Sequence, residues 1–341
     1  MLIIGLLIWF SFIIGRATSS NLMSRQGIFT VFYSKNILIN FGNCLMCNLA
    51  VNNELSNSKS TDLIMGSLFQ RFVGIFPCIR SLRTTNCQAN VIIFIDDKCL
   101  KSISNDNLAI LRNCNIKLYN VGPNKMTDPR VLQFFRHVCY YDFLKSQGIK
   151  FTRILAIDVF DAVFQGDPFT SEFKEDRIYF CQEPVYYGDN EWNFKHLKVF
   201  IEKDEIPYYG NFTIINGGII FGGYHQYFTF LHEFLQRCRY TYKRLPSDDQ
   251  GLINFIVYSQ LLQKKYGFTV ELWNYTNLFA NIYVMGTWNL NWYFGNLTEP
   301  TANRTYKLVH QIYMNTPFCH SVKEVCPQGN IKIKKYVKCN S

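Results

Sequence analysis

The chain has 341 residues, 48% hydrophobic and 18% charged, with a formal net charge of +10. That apolar content can bury a full α/β core, and the length suits one catalytic domain with short additions better than two equal domains. The positive charge is scattered and densest only at Lys332, Lys334, Lys335 and Lys338, which excludes nucleic acid as the partner. It suits anionic ligands such as sugar diphosphates, acidic glycans or membrane surfaces, or it is simply a solvated basic surface.

The chain opens with an uncharged apolar run of fourteen residues, MLIIGLLIWFSFII, followed by Gly15, Arg16 and the small polar stretch Ala17 to Ser20. The run is shorter than the roughly 20 residues of a relaxed membrane-spanning helix. Residues 1–20 therefore read as a targeting segment, either a cleaved signal peptide or a short type II anchor that would make the membrane a partner. A buried core helix fits less well, because the run has no polar stripe. Four sequons, starting at Asn211, Asn274, Asn296 and Asn303, and twelve cysteines agree with a secretory route, to the Golgi lumen or out of the cell.

An even cysteine number permits complete pairing, and Cys319 and Cys326 are placed to close a small C-terminal loop. The Cys44-Leu-Met-Cys47 spacing points to structural disulfides, since no second such pair and no HxxxH completes a zinc set. Residues 21–60, rich in Asn and Ser, read as a stem or N-terminal extension, residues 61–320 as the catalytic domain, and residues 321–341 as a basic, Cys-containing tail.

From Thr61, apolar β-type runs at Leu63 to Phe69, Val91 to Ile95, Ile116 to Val121 and Arg153 to Ile157 alternate with amphipathic stretches. Such alternation predicts an α/β domain with a mainly parallel, helix-flanked sheet. Thr127 to Gln147 opens with Thr-Asp-Pro, carries Leu132, Phe135, Cys139 and Phe143 at helical spacing, and stops at Gly148. Ligands of open α/β sheets gather beyond the carboxyl ends of the strands, so the residues after Ile157 are the first place to look for chemistry.

Asp158 and Asp161 stand there, ahead of the turn-forming Gly166-Asp167-Pro168. Hard cations such as Mn2+ or Mg2+ take one or two carboxylates plus substrate phosphates, and such an ion neutralises a departing nucleotide diphosphate. The plainer reading is a strand-end turn whose carboxylates cap backbone amides. Further on, Asn216-Gly217-Gly218 opens a short β-run closed by Gly222-Gly223, which lets backbone approach a ligand or merely marks a glycine-rich edge.

Pro246-Ser247-Asp248-Asp249-Gln250-Gly251 opens an apolar helix, with Ser247 or Asp248 suited to the N-cap; capping explains one acid but not both. The alternating run Tyr306 to Gln311 contains His310, an imidazole that suits Mn2+, and Lys307, a phosphate candidate. Trp273, Trp288 and Trp292 either stack on sugar faces or pack in the core.

The segment RILAIDVFDAVFQGDPF resembles the DxD-type region of GT-A glycosyltransferases, in the group with glycogenin-like and nucleotide-diphospho-sugar transferase relatives, although its spacing here is DxxD. The likeness covers roughly Thr61 to Gln311. It implies a GT-A-like, Rossmann-like fold in which Asp158 and Asp161 share the metal and donor site in unequal roles, with His310 completing the metal set. It implies that Asn216, with the Gly217 and Gly218 backbone, meets a sugar, and that Arg136 serves the nucleotide or its phosphates. Asp249 and Gln250 match the Asp-Gln pair whose Asp lies near the anomeric carbon, which makes Asp249 the catalytic candidate. Where glycogenin-like enzymes place a Gly and a diphosphate-binding Lys, this chain has Ile312-Tyr313-Met314.

The implied activity is metal-dependent transfer, with Mn2+ or Mg2+, of a hexose or similar sugar from a nucleotide-sugar donor to a glycan or glycoprotein acceptor, retaining if glycogenin-like. Two other functions stay open. A glycoside hydrolase would also use two carboxylates, set about 5 to 9.5 Å apart across a sugar. A secreted carbohydrate-binding protein would have kept the fold and lost the activity.

Overall fold

The computed structural model describes residues 37–52, 54–72, 74–124, 129–147, 151–241, 249–274, 279–281, 291–293, 296–299, 304–327 and 339. The expected targeting segment 1–20, the first part of the expected 21–60 extension, Gly148, Ser247, Asp248, Trp288, the sequon residue Asn303 and the tail lysines lie outside these residues.

The four predicted β-runs form strands β1 (Leu63–Leu68), β2 (Asn90–Ile95), β3 (Ile116–Asn120) and β4 (Arg153–Ile157). Helices α1 (Ile75–Thr84), α2 (Asp97–Lys101), α3 (Asn105–Asn113) and α4 (Pro129–Ser146) connect them. Nearly every position of these strands is buried, the pattern of strands covered on both faces. The side-chain period of two sorts them cleanly. Ile64, Ile93, Leu155 and Ile157 pack with α1 on one face, while Met65, Ile92, Phe94, Ile154 and Ala156 pack with Cys139 and Phe143 of α4 on the other.

Strands β6 (Arg177–Tyr186), β7 (Thr213–Gly223) and β8 (Thr269–Trp273), with helices α5 (Glu191–Leu197) and α6 (Tyr224–Thr241) between them, extend the sheet to seven strands in the order β3-β2-β1-β4-β7-β6-β8. Four of its pairings are parallel, and β7 runs antiparallel to both β4 and β6. The fold is thus α/β with a mostly parallel, helix-flanked central sheet. The chain leaves β1 toward β2 and β3 on one side and returns to β4 on the other. This makes the carboxyl ends of β1 and β4 a topological switch point, where such sheets bind ligands.

A smaller sheet brings distant sequence to that point. Strand β5 (Ala162–Phe164) lies beside β13 (Leu308–His310), which pairs in turn with β9 (Phe279–Asn281). The antiparallel register sets His310 opposite Ala162. Three short strands, β10 (Asn291–Tyr293), β11 (Asn296–Glu299) and β12 (Arg304–Thr305), form a third sheet.

The described part of the 21–60 extension is not a separate stem. Asn52 and Ser56 bridge to Gly166 and Thr170, and disulfides join Cys44 to Cys114 and Cys47 to Cys326. The two cysteines of the CxxC group are therefore structural, each with its own distant partner. Cys319 pairs with Cys339, so the small loop expected between Cys319 and Cys326 does not form. Nor is pairing complete, because Cys78, Cys87, Cys99, Cys139, Cys181 and Cys238 are reduced. Helix α9 (Thr316–Val325) crosses the boundary expected at residue 320; the Cys47–Cys326 disulfide ties its C-terminal end to the domain, and Cys319–Cys339 holds the tail against it. Three disulfides fit an oxidising secretory environment. Among the described residues no helix is long and apolar enough to cross a membrane.

Candidate active site

The end of β4 is held by a backbone bond in which Asp158 N–H donates to Gly218 O at 2.9 Å. A Cβ on Gly218 would lie 2.5 Å from His310 Cε1 and 2.7 Å from Asp158 Oδ2, so only glycine allows both side chains to approach this strand. Arg136 reaches this strand end from α4. Its guanidinium donates to Asp158 Oδ1, to Asp249 Oδ2 from Nη2 at 2.6 Å, and to Gly217 O at 3.0 Å. Asp249 opens helix α7 (Asp249–Tyr258), and its Oδ2 also lies 2.9 Å from His137 Nε2. One arginine thus joins α4, β4, β7 and α7.

Asp161, three residues beyond Asp158, anchors the turn through its carbonyl, which accepts Ile312 N–H at 3.0 Å. His310 Nε2 stands 3.2 Å from Asp161 Oδ1 and 3.7 Å from Asp158 Oδ2. The Asp158 side chain is 25% exposed, against 12% for Asp161 and 3% for His310, so the cluster opens to solvent through Asp158.

The sequence-predicted residues divide into those the fold assembles and those it does not. Asp158, Asp161, Asp249, Arg136 and His310 share one charged cluster. Gln250 Oε1 accepts Gly217 N–H at 2.9 Å, and its amide donates to Asn193 Oδ1 at 2.8 Å, so it fixes the backbone beside the cluster. Asn216 is turned inward: its amide donates to buried Glu183 at 2.8 Å and its Oδ1 accepts Gly218 N–H at 2.8 Å. It shapes the Gly217-Gly218 strand from behind.

Lys307 is not in the cluster. Its ammonium donates to the carbonyls of Asn52 and Glu54, both at 2.6 Å, and so fastens the N-terminal segment. On an extended run, residues 307 and 310 face opposite sides, and the alternation that brings His310 in turns Lys307 away. Trp273 packs against Tyr179 and Phe221 and belongs to the core.

Electrostatics follow from this geometry. Burial opposes ionisation of Asp158, but the Arg136 guanidinium and the His310 imidazole outweigh it and hold the carboxyl below its usual range. Burial likewise works against the Asp249 carboxylate, yet Arg136 and His137 bring it down to about 2. Burial pushes the Asp161 carboxyl up, with His310 offsetting only part. His310 is raised to about 10: burial favours the neutral ring, and the Asp161 and Asp158 carboxylates override it. The imidazole therefore carries a proton between two acids, while burial keeps His137 below its ordinary value.

Among the described residues no group of three or more His, Cys, Asp or Glu side chains stands in metal-ligating geometry. The donor chemistry nevertheless fits a hard divalent cation. Two carboxylates and one imidazole converge, and Asp161 Oδ1 is buried without an aligned hydrogen bond. His137, Glu183 and Asn193 carry no spacing signal of their own and emerge only from the fold. No family model matches the chain, and no curated protein matches it.

Proposed function

We propose that the chain is a metal-dependent glycosyltransferase that moves a sugar from a nucleotide-diphosphate donor to a glycan or glycoprotein acceptor, on a GT-A-like domain. The observation that carries this reading is the meeting, at the carboxyl end of β4, of Asp158, Asp161 and His310 with the Arg136–Asp249 pair. Asp158 Oδ2, Asp161 Oδ1 and His310 Nε2 would hold Mn2+ or Mg2+, which supplies charge neutralisation for the leaving diphosphate. His310 gives up its proton when it becomes a ligand, so cation binding releases protons.

Asp249 is kept ionised by Arg136 and His137, and in this role it faces the positive charge that develops on the sugar. Gly218 lets His310 and Asp158 close on the strand, and Gln250 with Asn216 keeps that strand in place. Thermal-shift screening of nucleotide-diphosphate sugars tests the proposal. Stabilisation by one donor in Mn2+, absent with EDTA, is the expected result; metal-independent cleavage of glycans would assign the acids to hydrolysis instead.

One observation favours a second reading, a carbohydrate-binding protein without transfer activity. Arg136 already occupies Asp158 Oδ1, so the acid meets a cation of the protein itself. Glycan binding with no response to nucleotide or Mn2+ would select it.

A further inference from the structure

At the end of α7 away from Asp249, roughly 14 Å along the helix, a cavity of about 370 Å3 opens between β6, β7 and helix α8 (Leu261–Tyr266). This size is that of a small-ligand site, and no charged side chain lines it. Its walls combine exposed tyrosine rings, Tyr186 at 53% and Tyr208 at 59%, with the amides of Gln182, Gln260 and Gln263. The aromatic wall is braced: Tyr208 meets Phe212 edge-on at 4.8 Å, and Phe212 stacks on Tyr258 at 4.3 Å. Gln263 Oε1 is buried with no hydrogen-bond partner. Flat rings beside uncharged amides suit a neutral sugar, whose C–H face packs on an aromatic ring while its hydroxyls bond amides.

Asn211 lies in the same lining, is exposed, and begins the sequon Asn211-Phe212-Thr213 on a turn after Tyr209. Its Nδ2 donates a single hydrogen bond, to Pro207 O at 3.2 Å. A glycosylated asparagine keeps one N–H, so this bond survives modification and the second N–H marks where a sugar attaches.

We propose that Asn211 carries an N-linked glycan whose first sugars lie along this cavity against Tyr208 and Tyr186. In the attachment step, a lipid-diphosphate-linked oligosaccharide is the donor. The bond from Asn211 Nδ2 to the anomeric carbon forms, the bond from that carbon to the diphosphate oxygen breaks, the lipid diphosphate leaves with the electron pair, and the amide loses one proton. The inference rests on the secretory environment that the disulfides indicate and is independent of the proposed transfer reaction.

The test uses full-length protein secreted from eukaryotic cells and peptide mapping after release by peptide-N-glycosidase in heavy-oxygen water. Labelled conversion of Asn211 to Asp is expected, and it disappears in Thr213→Ala. The exposed sequon residue Asn274 is the internal reference for passage through the secretory pathway. Unmodified Asn211 overturns the proposal; Asn274 occupied alone shows that the compartment is right and the site wrong.

The seating of the glycan is read separately, as the release rate from native protein. One aromatic contact slows native release by roughly two- to tenfold. Tyr208→Ala, and independently Tyr186→Ala, restores the faster rate at an unchanged melting temperature. Equal rates in the wild type and both variants would overturn the seating.

Discussion

Strand β4 carries a buried arginine–aspartate system at each end, and the two differ in how completely the charge is closed. At its start, Arg153 donates to both oxygens of Asp62, at 2.9 and 2.7 Å, and to the carbonyls of Asn57, Thr170 and Phe173. Both side chains are almost wholly out of water, and the Phe169 and Phe173 rings flank the guanidinium. Beyond its other end, Arg136 is shared between two aspartates, one of which reaches solvent, and a third carboxylate and an imidazole stand beside them. The first system uses charge to fasten the segment before β1 to the domain. The second crowds three acids around too few cations, the kind of uncompensated charge on which the proposed metal and donor site rests.

The comparison breaks most visibly at Arg153. Arg153→Ala leaves Asp62 buried and unpaired and should cost about 3–5 kcal/mol in chemical denaturation. A loss no larger than that of a surface substitution would remove the distinction between the two ends.

Asp249 gives the next largest effect, in acid. Its folded value, about 2, lies below its ordinary 3.8, so its stabilisation is present above pH 3.8 and is lost as pH falls toward 2. Asp249→Asn should remove about 2 kcal/mol at neutral pH and flatten that acid limb. An unchanged limb would mean that Arg136 and His137 do not stabilise this carboxylate.

His310 acts on the opposite limb. Its folded value, about 10, lies above its ordinary 6.5, so its contribution is complete below pH 6.5 and is lost as pH rises toward 10. His310→Gln should reduce the alkaline loss seen in melting curves. Mn2+ affinity in the wild type should rise with pH over the same window, because the cation replaces that proton.

The smallest stability change belongs to Asp161. Relieving one of three crowded acids, Asp161→Asn should leave stability within about 0.5 kcal/mol of the wild type or raise it, as substitutions in strained functional sites do.

Much of the framework was legible because strand burial writes itself as apolar runs. All four early runs became strands, and Arg153–Ile157 agrees residue for residue. The direction of β7 was not legible, since a buried strand reads alike in either orientation. The charged cluster was readable where acids follow a strand or open a helix, as at Asp158 and Asp249. Pairing register decided the rest: β13 against β5 delivers His310 to the cluster, and the alternation of an extended run then turns Lys307 toward the buried contact with the N-terminal segment. Cysteine partners were hidden for the same reason, since Cys47 and Cys326 are separated by 279 residues.

The proposed metal and donor site is the open charge beyond β4. Its most direct test is release of nucleoside diphosphate from the donor that stabilises the protein, compared between the wild type and Asp161→Asn, in Mn2+ and in EDTA. The prediction is metal-dependent release by the wild type and a loss of about a hundredfold or more in Asp161→Asn at an unchanged melting temperature. Full metal-dependent release by Asp161→Asn would contradict it.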